Sequence, residues 1–252
     1  MGFIVFVTLS IFWWIASLTI LLPFVLLLKY WKAFQNRWFS FIFVHFLAPY
    51  FEPRMTRYRK ECFELLKKNI SDRDKSKPLK MLEIGIGSGA NLPYYPENSS
   101  LTAVDMNVSF KEYFYKNQKK YPQVKFERLI TCMAENMPEV EDSSIDIVIS
   151  TYVLCSVEDV QSVLSEIRRV LKPGGKFVYL EHCAHAKKEW LYLAQKFVAP
   201  LWLIYCNGCH IDRHIPDELH KAGFSNIICE KKYPPDLPVT LKPQYIGIAT
   251  VY

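Results

Sequence analysis

The sequence predicts a doubly wound α/β fold: a seven-stranded, mostly parallel sheet with helices on both faces and the last strand antiparallel. Three observations predict it. From Lys80 onward, short apolar runs alternate with helix-length segments. The first of these runs ends in Glu83 and is followed by glycine at every second position, Gly85, Gly87 and Gly89. The last two runs are separated only by the loop Tyr233-Pro234-Pro235-Asp236-Leu237-Pro238, which leaves no room for a crossover helix, so they pair antiparallel.

Before the first strand, the chain reads as membrane-associated. Its first 28 residues carry no charged side chain, and residues 3–28 exceed the about 20 apolar residues needed to span a bilayer. The run is too long for a signal peptide and lacks a basic segment ahead of it. Residues 1–28 are therefore expected to be an anchor, with Pro23 producing a kink or a re-entrant hairpin. Lys29, Lys32 and Arg37 follow and place that flank on the cytosolic side. Residues 38–51 form a second apolar, aromatic stretch, too short to span and bounded by Pro49. It either lies flat at the interface or packs on the catalytic domain as a core helix. Met55, Tyr58, Cys62, Leu65, Leu66 and Ile70 then keep helical spacing. Residues 29–78 are read as a basic juxtamembrane region and residues 79–252 as the catalytic domain.

Within that domain, strands are expected near 80–84, 101–105, 124–130, 145–150, 176–182, 226–231 and 245–251. Helices are expected near 109–119, 158–171 and 189–204, with a short one over 216–223 ended by Gly223. Pro173 followed by Gly174 and Gly175 is a stop-and-turn signal between helix and strand.

The glycine loop and a second acid carry the binding chemistry. Closely spaced glycines let a ligand lie against bare main chain. Asp105 ends the next apolar run, about 20 residues on, where a carboxylate can hold both hydroxyls of a ribose. Pro93 and Pro96 allow at most a short, broken helix after the loop. A pyrophosphate needs a long helix there, so an adenosine cofactor without one fits better. Glu83 would repel a pyrophosphate and attract a cationic amino-acid moiety. Here the chain resembles the seven-strand S-adenosylmethionine-dependent methyltransferases (class I), whose first motif is E-x-G-x-G-x-G. The likeness continues through Ala134-Glu135-Asn136-Met137-Pro138, through residues 145–157, and through Arg168-Arg169-Val170-Leu171-Lys172-Pro173-Gly174-Gly175. It implies S-adenosyl-L-methionine as cofactor, held by Glu83, Gly85, Gly87, Gly89, Asp105, Met106, Asn107, Glu135 (near the adenine) and Thr151.

A narrower resemblance covers nearly the whole chain. Gly89-Ala90-Asn91 with Tyr94-Tyr95-Pro96, Val153-Leu154-Cys155-Ser156-Val157, Glu181-His182, and Asn207-Gly208-Cys209 ahead of Asp212-Arg213 are similar to the membrane-anchored thiol S-methyltransferases of endoplasmic reticulum and lipid droplets. That likeness implies small lipophilic thiols as acceptors. It also implies contact with membrane lipids through the anchor and a catalytic domain facing the cytosol. The family usually has Gly-Cys-Gly-Thr-Gly, Asp-Pro-Asn and Gly-Glu-Asp where this chain has Gly85-Ile86-Gly87-Ser88-Gly89, Asp105-Met106-Asn107 and Ala134-Glu135-Asn136. These departures leave open a lipid or other small-molecule acceptor, and an interaction protein built on the same fold.

A thiol acceptor must become a thiolate. His182 follows the fifth strand at the carboxyl edge, where ligands bind in open α/β sheets, and is the candidate base or orienting group; it can equally be a strand-capping residue. Cys206, Cys209, His210 and His214 have metal-like spacing within one nine-residue segment. One short segment wrapping an ion on four sides is sterically hard, so no metal is expected. Seven scattered cysteines, an odd number without scaffold spacing, fit free thiols in a reducing compartment. Residues 1–80 carry 13 Lys and Arg against 5 Asp and Glu, leaving 18 against 20 for the remainder. The basic excess is thus a collar suited to anionic headgroups, and no nucleic-acid partner is expected.

Overall fold

The apolar N-terminal sequence forms a single helical rod. It runs through α1 (Gly2–Ala16), a π-helical segment (Ser17–Leu21) and α2 (Leu22–Tyr30). The computed structural model describes residues 2–252, so Met1 of the expected anchor lies outside the described residues. Pro23 falls in the first turn of α2, where no N–H is needed, and the wider π turn precedes it. Among the described residues, Ile11–Tyr30 is the one helix long and apolar enough to cross a membrane; its most apolar stretch has a mean hydropathy of 2.4 and is 6% buried.

The same device recurs at Pro49. α3 (Lys32–Ile42) passes through a second π segment (Phe43–Leu47) into α4 (Ala48–Asn69). The sequence led us to expect residues 38–51 to stop at Pro49. Instead, the Ala48 N–H reaches back to the Phe43 carbonyl, and the proline again lands in a first turn. The segment also splits between its two expected placements. Phe39 and Phe43 pack edge-on against Phe110 of the catalytic domain, whereas Phe41, Phe46 and Tyr50 are exposed.

The sheet has the strands β1 (Leu79–Ile84), β2 (Ser99–Val104), β3 (Lys125–Ile130), β4 (Ile145–Thr151), β5 (Leu171–His182), β6 (Ser225–Lys232) and β7 (Gln244–Thr250) in the order β3-β2-β1-β4-β5-β7-β6. Only β7 runs against its neighbours, pairing antiparallel with both β5 and β6. The Pro173–Gly175 turn survives as a bulge inside β5, where the register against β4 jumps from Leu171 to Lys176.

Helices cover both faces. α6 (Val160–Val170) is capped by Asp159, whose carboxylate accepts from the Gln161 and Ser162 N–H groups. It buries Val163, Leu164, Ile167 and Val170 together with Leu219 of α8 (Ile215–Lys221). On the other face, α4 supplies Met55, Cys62, Phe63 and Leu66, and α5 (Lys111–Gln118) supplies Phe114. Each such side chain, fully buried, is worth roughly 1.5–3 kcal/mol. α7 (Trp190–Tyr205) packs beside α2 and α3, while Trp190, Leu193, Phe197 and Leu201 point outward in one stripe. The order of strands reverses between β1 and β4. A cavity of about 300 Å³ opens at the carboxyl ends of the strands there, at the switch point of the doubly wound sheet.

Candidate active site

The glycine loop forms one wall of this cavity. Gly87 sits at φ +52°, and a Cβ there would meet nothing closer than the Gly85 carbonyl at 4.0 Å, so its main chain is open to a ligand. Its N–H donates to Asp105 Oδ2 at 2.8 Å, and Asp105 Oδ1 accepts from the Asn107 N–H at 2.8 Å. The carboxylate is thereby fixed on the wall, with lone pairs left over for a diol. Burial raises the Asp105 pKa, partly offset by those two backbone donors. Gly85 also lines the wall, but Gly89 does not. A Cβ on Gly89 would lie 2.6 Å from Leu92 Cδ1, so that glycine serves packing behind the loop. Met106 and Glu135 line the cavity, and Glu135 Oε1 accepts from the Glu158 N–H at 2.8 Å. Asn107 lines it too, but its amide is committed elsewhere. Its oxygen caps Ser109, and its nitrogen donates to the Asn36 carbonyl of α3.

A buried polar network closes the end of the cavity behind Glu83. Glu83 Oε1 accepts from Asn91 Nδ2 at 2.8 Å, while Oε2 has no partner. Burial pushes its carboxyl up to about 8, against the opposing pull of the Asn91 hydrogen bond and the Arg59 charge. Thr151 Oγ1 accepts from Asn91 Nδ2 at 3.0 Å. Arg59, buried on α4, donates to Asn91 Oδ1, to Glu52 Oε1 at 2.9 Å and, more weakly, to Thr151. Sequence reasoning passed over Arg59 and Asn91. The signal for Arg59 was present: it lies four residues after Met55 and three before Cys62, a charge on the apolar stripe of its helix. An unpartnered carboxylate oxygen beside a buried guanidinium suits the ammonium and carboxylate of an amino-acid moiety. The open glycine wall and Asp105 suit an adenosine. These residues therefore fit S-adenosyl-L-methionine.

The opposite end holds sulfur and imidazole. Cys155 lies in the loop after β4, His182 ends β5, and Cys209 follows α7. All three are buried, and their ligand atoms lie within 4.8 Å of one another. His182 Nε2 is 3.2 Å from Cys209 Sγ, and the Cys209 thiol lies 3.7 Å from Cys155 Sγ. Tyr152, held at φ +60°, stacks on the imidazole with centroids 6.0 Å apart. Glu181 turns inward and fastens the Cys155 loop, accepting from Ser150 Oγ and from the Val153 and Leu154 N–H groups. The hydrogen bond from Cys209, together with burial, pushes the Cys155 thiol up. Burial works to lower the His182 pKa, but the negative charge that Cys155 and Glu181 carry when ionised outweighs it and raises the ring. Phe51, Trp202 and Leu241 pack with the two cysteines, and with Leu237 they give the cavity an apolar, aromatic wall beside the polar Lys32, Asn207 and Gln244.

The structure does not gather the four residues with metal-like spacing. Cys209 faces Cys155 and His182, His214 packs against the Tyr192 ring, and Cys206 is a separate thiol on the cavity wall, pushed up to about 12 by burial. His185 lies away from the cavity, between Glu189 Oε2 and the Val239 carbonyl.

Comparison with known proteins agrees with this geometry. Residues 82–179 match a methyltransferase domain family. The chain is 33% identical over 219 residues to thiol S-methyltransferase TMT1A of Homo sapiens, covering 87% of this chain and 88% of that protein. It is 32% identical over 232 residues to thiol S-methyltransferase TMT1B of Rattus norvegicus, covering 92% and 93%. Among solved structures, phosphoethanolamine N-methyltransferase 2 of Haemonchus contortus in complex with S-adenosyl-L-methionine shares the fold, with a TM-score of 0.56 at 17% identity over 76% of this chain and 52% of that one.

Proposed function

Since the chain belongs to the thiol S-methyltransferase family of S-adenosylmethionine-dependent enzymes, we propose that it methylates the sulfur of small lipophilic thiols at a membrane surface. Its cofactor is S-adenosyl-L-methionine. When bound, that group supplies a sulfonium methyl carbon open to in-line attack. In this reading Asp105 takes the ribose hydroxyls, Glu83 the ammonium and Arg59 the carboxylate. Gly87 lets the cofactor lie on bare backbone, while Gly85 makes room for the Val153 side chain, which a Cβ there would strike. Met106 and Glu135 border the adenine, while Asn107, Asn91 and Thr151 hold these groups in place. The chain itself positions the acceptor, excludes water and accommodates the thiol's proton.

The observation that carries the acceptor assignment is the far end of the cavity: one imidazole and two thiols set in an apolar aromatic wall. His182 is the catalytic residue there, the one cation-forming group among them. A charged acceptor such as glutathione would lose strong hydration on entering, so neutral alkyl thiols are favoured. We also propose that residues 1–28 anchor the enzyme in the endoplasmic reticulum or lipid-droplet membrane. Residues 29–78 then lie beneath it, with α4 forming a cavity wall, and residues 79–252 face the cytosol. In support, Ile11–Tyr30 is apolar enough to span, Lys29 ends its apolar run with Lys32 and Arg37 beyond it, and α7, which carries the exposed apolar stripe, packs against α2.

The test is to incubate the detergent-solubilised chain with isotopically labelled methyl donor and matched thiols, phenols, amines and lipids. Short alkyl thiols should be labelled best. His182→Gln should lower transfer at least tenfold with cofactor affinity unchanged. Labelling of phenols, amines or lipids with thiols untouched would overturn the acceptor assignment.

A further inference from the structure

We propose that Cys155, His182 and Cys209 form a zinc-type metal site, with its fourth position open to the cavity and filled by the sulfur of the acceptor thiol. The geometry carries this first. A tetrahedral ion with Zn–S bonds of about 2.3 Å sets its sulfur ligands about 3.8 Å apart, and the two thiols stand 3.7 Å apart. With a Zn–N bond of about 2.0–2.1 Å, the imidazole nitrogen should lie about 3.6 Å from each sulfur. His182 Nε2 is 3.2 Å from Cys209, a few tenths of an ångström from that position, and it lies within 4.8 Å of the Cys155 sulfur, so a small rotation of the ring completes the tetrahedral spacing.

The surroundings hold the three ligands as a unit. They come from three separate parts of the chain, yet the loops bearing the cysteines are tied together by the His210 N–H, which donates to the Cys155 carbonyl at 2.7 Å. Asn207 and Gly208, at φ +53° and +87°, turn the chain so that Cys209 faces inward, and such strain at a non-glycine residue clusters at functional sites. A ligating histidine donates its other N–H to an acceptor. Here His182 Nδ1 is buried without a partner, and Gln244, paired with His182 across the β5–β7 register, has a buried unpartnered Oε1. The orphan donor and the orphan acceptor become complementary once Nε2 binds a metal.

The charge balance suits the reaction. Loading a divalent ion releases one proton from each cysteine, so the ion with two thiolates and a neutral imidazole carries no net charge and does not repel a sulfonium. The acceptor R–SH then binds as thiolate, its proton passing to solvent, and the site gains one negative charge beside the positive sulfonium. Attack forms the new S–CH3 bond with the thiolate's electron pair. The S–CH3 bond of the donor breaks, and its pair stays on the departing thioether. The neutral methyl thioether product is a weaker ligand and leaves. His182 then holds the metal, and the metal, rather than the ring, carries the thiol's charge. This last role rests on the thiol-acceptor reading; the metal content does not.

The experiment uses the full chain in detergent micelles. Elemental analysis should find one zinc per chain. Cys155→Ser, Cys209→Ser and His182→Asn should each lose it, checked by retained cofactor binding as evidence of folding, while Cys206→Ser keeps it. Gln244→Leu should weaken zinc affinity about 10–100-fold. Cobalt exchanged into the site should give the visible absorption of a tetrahedral sulfur-ligated ion, and an alkyl thiol added without methyl donor should shift that absorption. Metal-free protein that methylates thiols at full rate and ignores strong chelators would overturn the site, reducing it to a hydrogen-bonded thiol cluster and leaving the thiol assignment intact. A cobalt spectrum blind to thiols would overturn the fourth-ligand role.

Discussion

Glu83 makes the apoprotein's stability depend on pH. Its folded pKa, about 8, is raised above the ordinary 4.5, so the protonated form is the stable buried one. The sign follows from linkage. The associated stability is fully present below 4.5 and is lost as pH rises through about 8. Thermal unfolding of the cofactor-free chain should therefore occur at lower temperature at pH 8 than at pH 5. Glu83→Gln should flatten that difference, and an unchanged slope in the variant would place the effect elsewhere. Binding a cation beside the carboxylate should also release a proton near neutral pH, visible as a buffer-dependent enthalpy in calorimetry. Asp105 makes a second case. Asp105→Ala removes the diol acceptors and the clamp on Gly87 and should weaken cofactor binding by about 2 kcal/mol, roughly 30-fold. Titration calorimetry showing unchanged affinity would sink its assignment to the ribose.

Two glycines of one loop should respond to the same substitution in opposite ways. Gly87→Ala puts a methyl group into open ligand space, whereas Gly89→Ala drives one to 2.6 Å from Leu92 Cδ1. Both positions have positive φ, costing about 1–2 kcal/mol for any L side chain. Gly89→Ala adds overpacking of about 1–3 kcal/mol and should chiefly lower the melting temperature. Gly87→Ala should chiefly lower cofactor affinity. Parallel melting and binding curves for the two variants check this; equal effects on both properties would mean the loop acts as one unit. On α7, Trp190, Leu193, Phe197 and Leu201 are exposed at 73%, 68%, 84% and 56%, a stripe that water alone would not favour. Replacing Phe197 and Leu201 by serine should weaken binding of the chain lacking residues 1–28 to phospholipid vesicles in a flotation assay, with folding and cofactor affinity retained.

At the scale of the molecule, α2 and α3 pack against α7, and α3 with the π segment after it contributes Phe39 and Phe43 to the cavity wall, so the proposed anchoring would hold the cavity near the membrane. Protease added to intact microsomes should digest the catalytic domain. Protection, or glycosylation at Asn69 or Asn98, would place it in the lumen instead. Deleting residues 1–28 should loosen attachment without abolishing it, since the exposed Phe41, Phe46 and Tyr50 and the α7 stripe remain.

The sequence by itself determined the seven strands, the single antiparallel one and the cofactor loop. Each is written locally: apolar runs of strand length, a loop too short for a crossover, glycines followed by an acid at fixed spacing. The apolar length of residues 3–28 is local information too. The tertiary structure alone decided which distant residues share a site. Arg59 comes to Asn91 because α4 lies across the sheet, although its place on an apolar stripe hinted at burial. Pro49 reads as a stop in sequence, yet a π turn shifts the hydrogen bonding by one residue and lets the helix continue. Cys155, His182 and Cys209 are widely separated in the chain, and the tempting local spacing of Cys206, Cys209, His210 and His214 pointed to a different set. A sequence pattern records which neighbours a backbone segment can have, whereas the meeting of loops at one sheet edge is fixed by strand order and by the packing of helices on both faces.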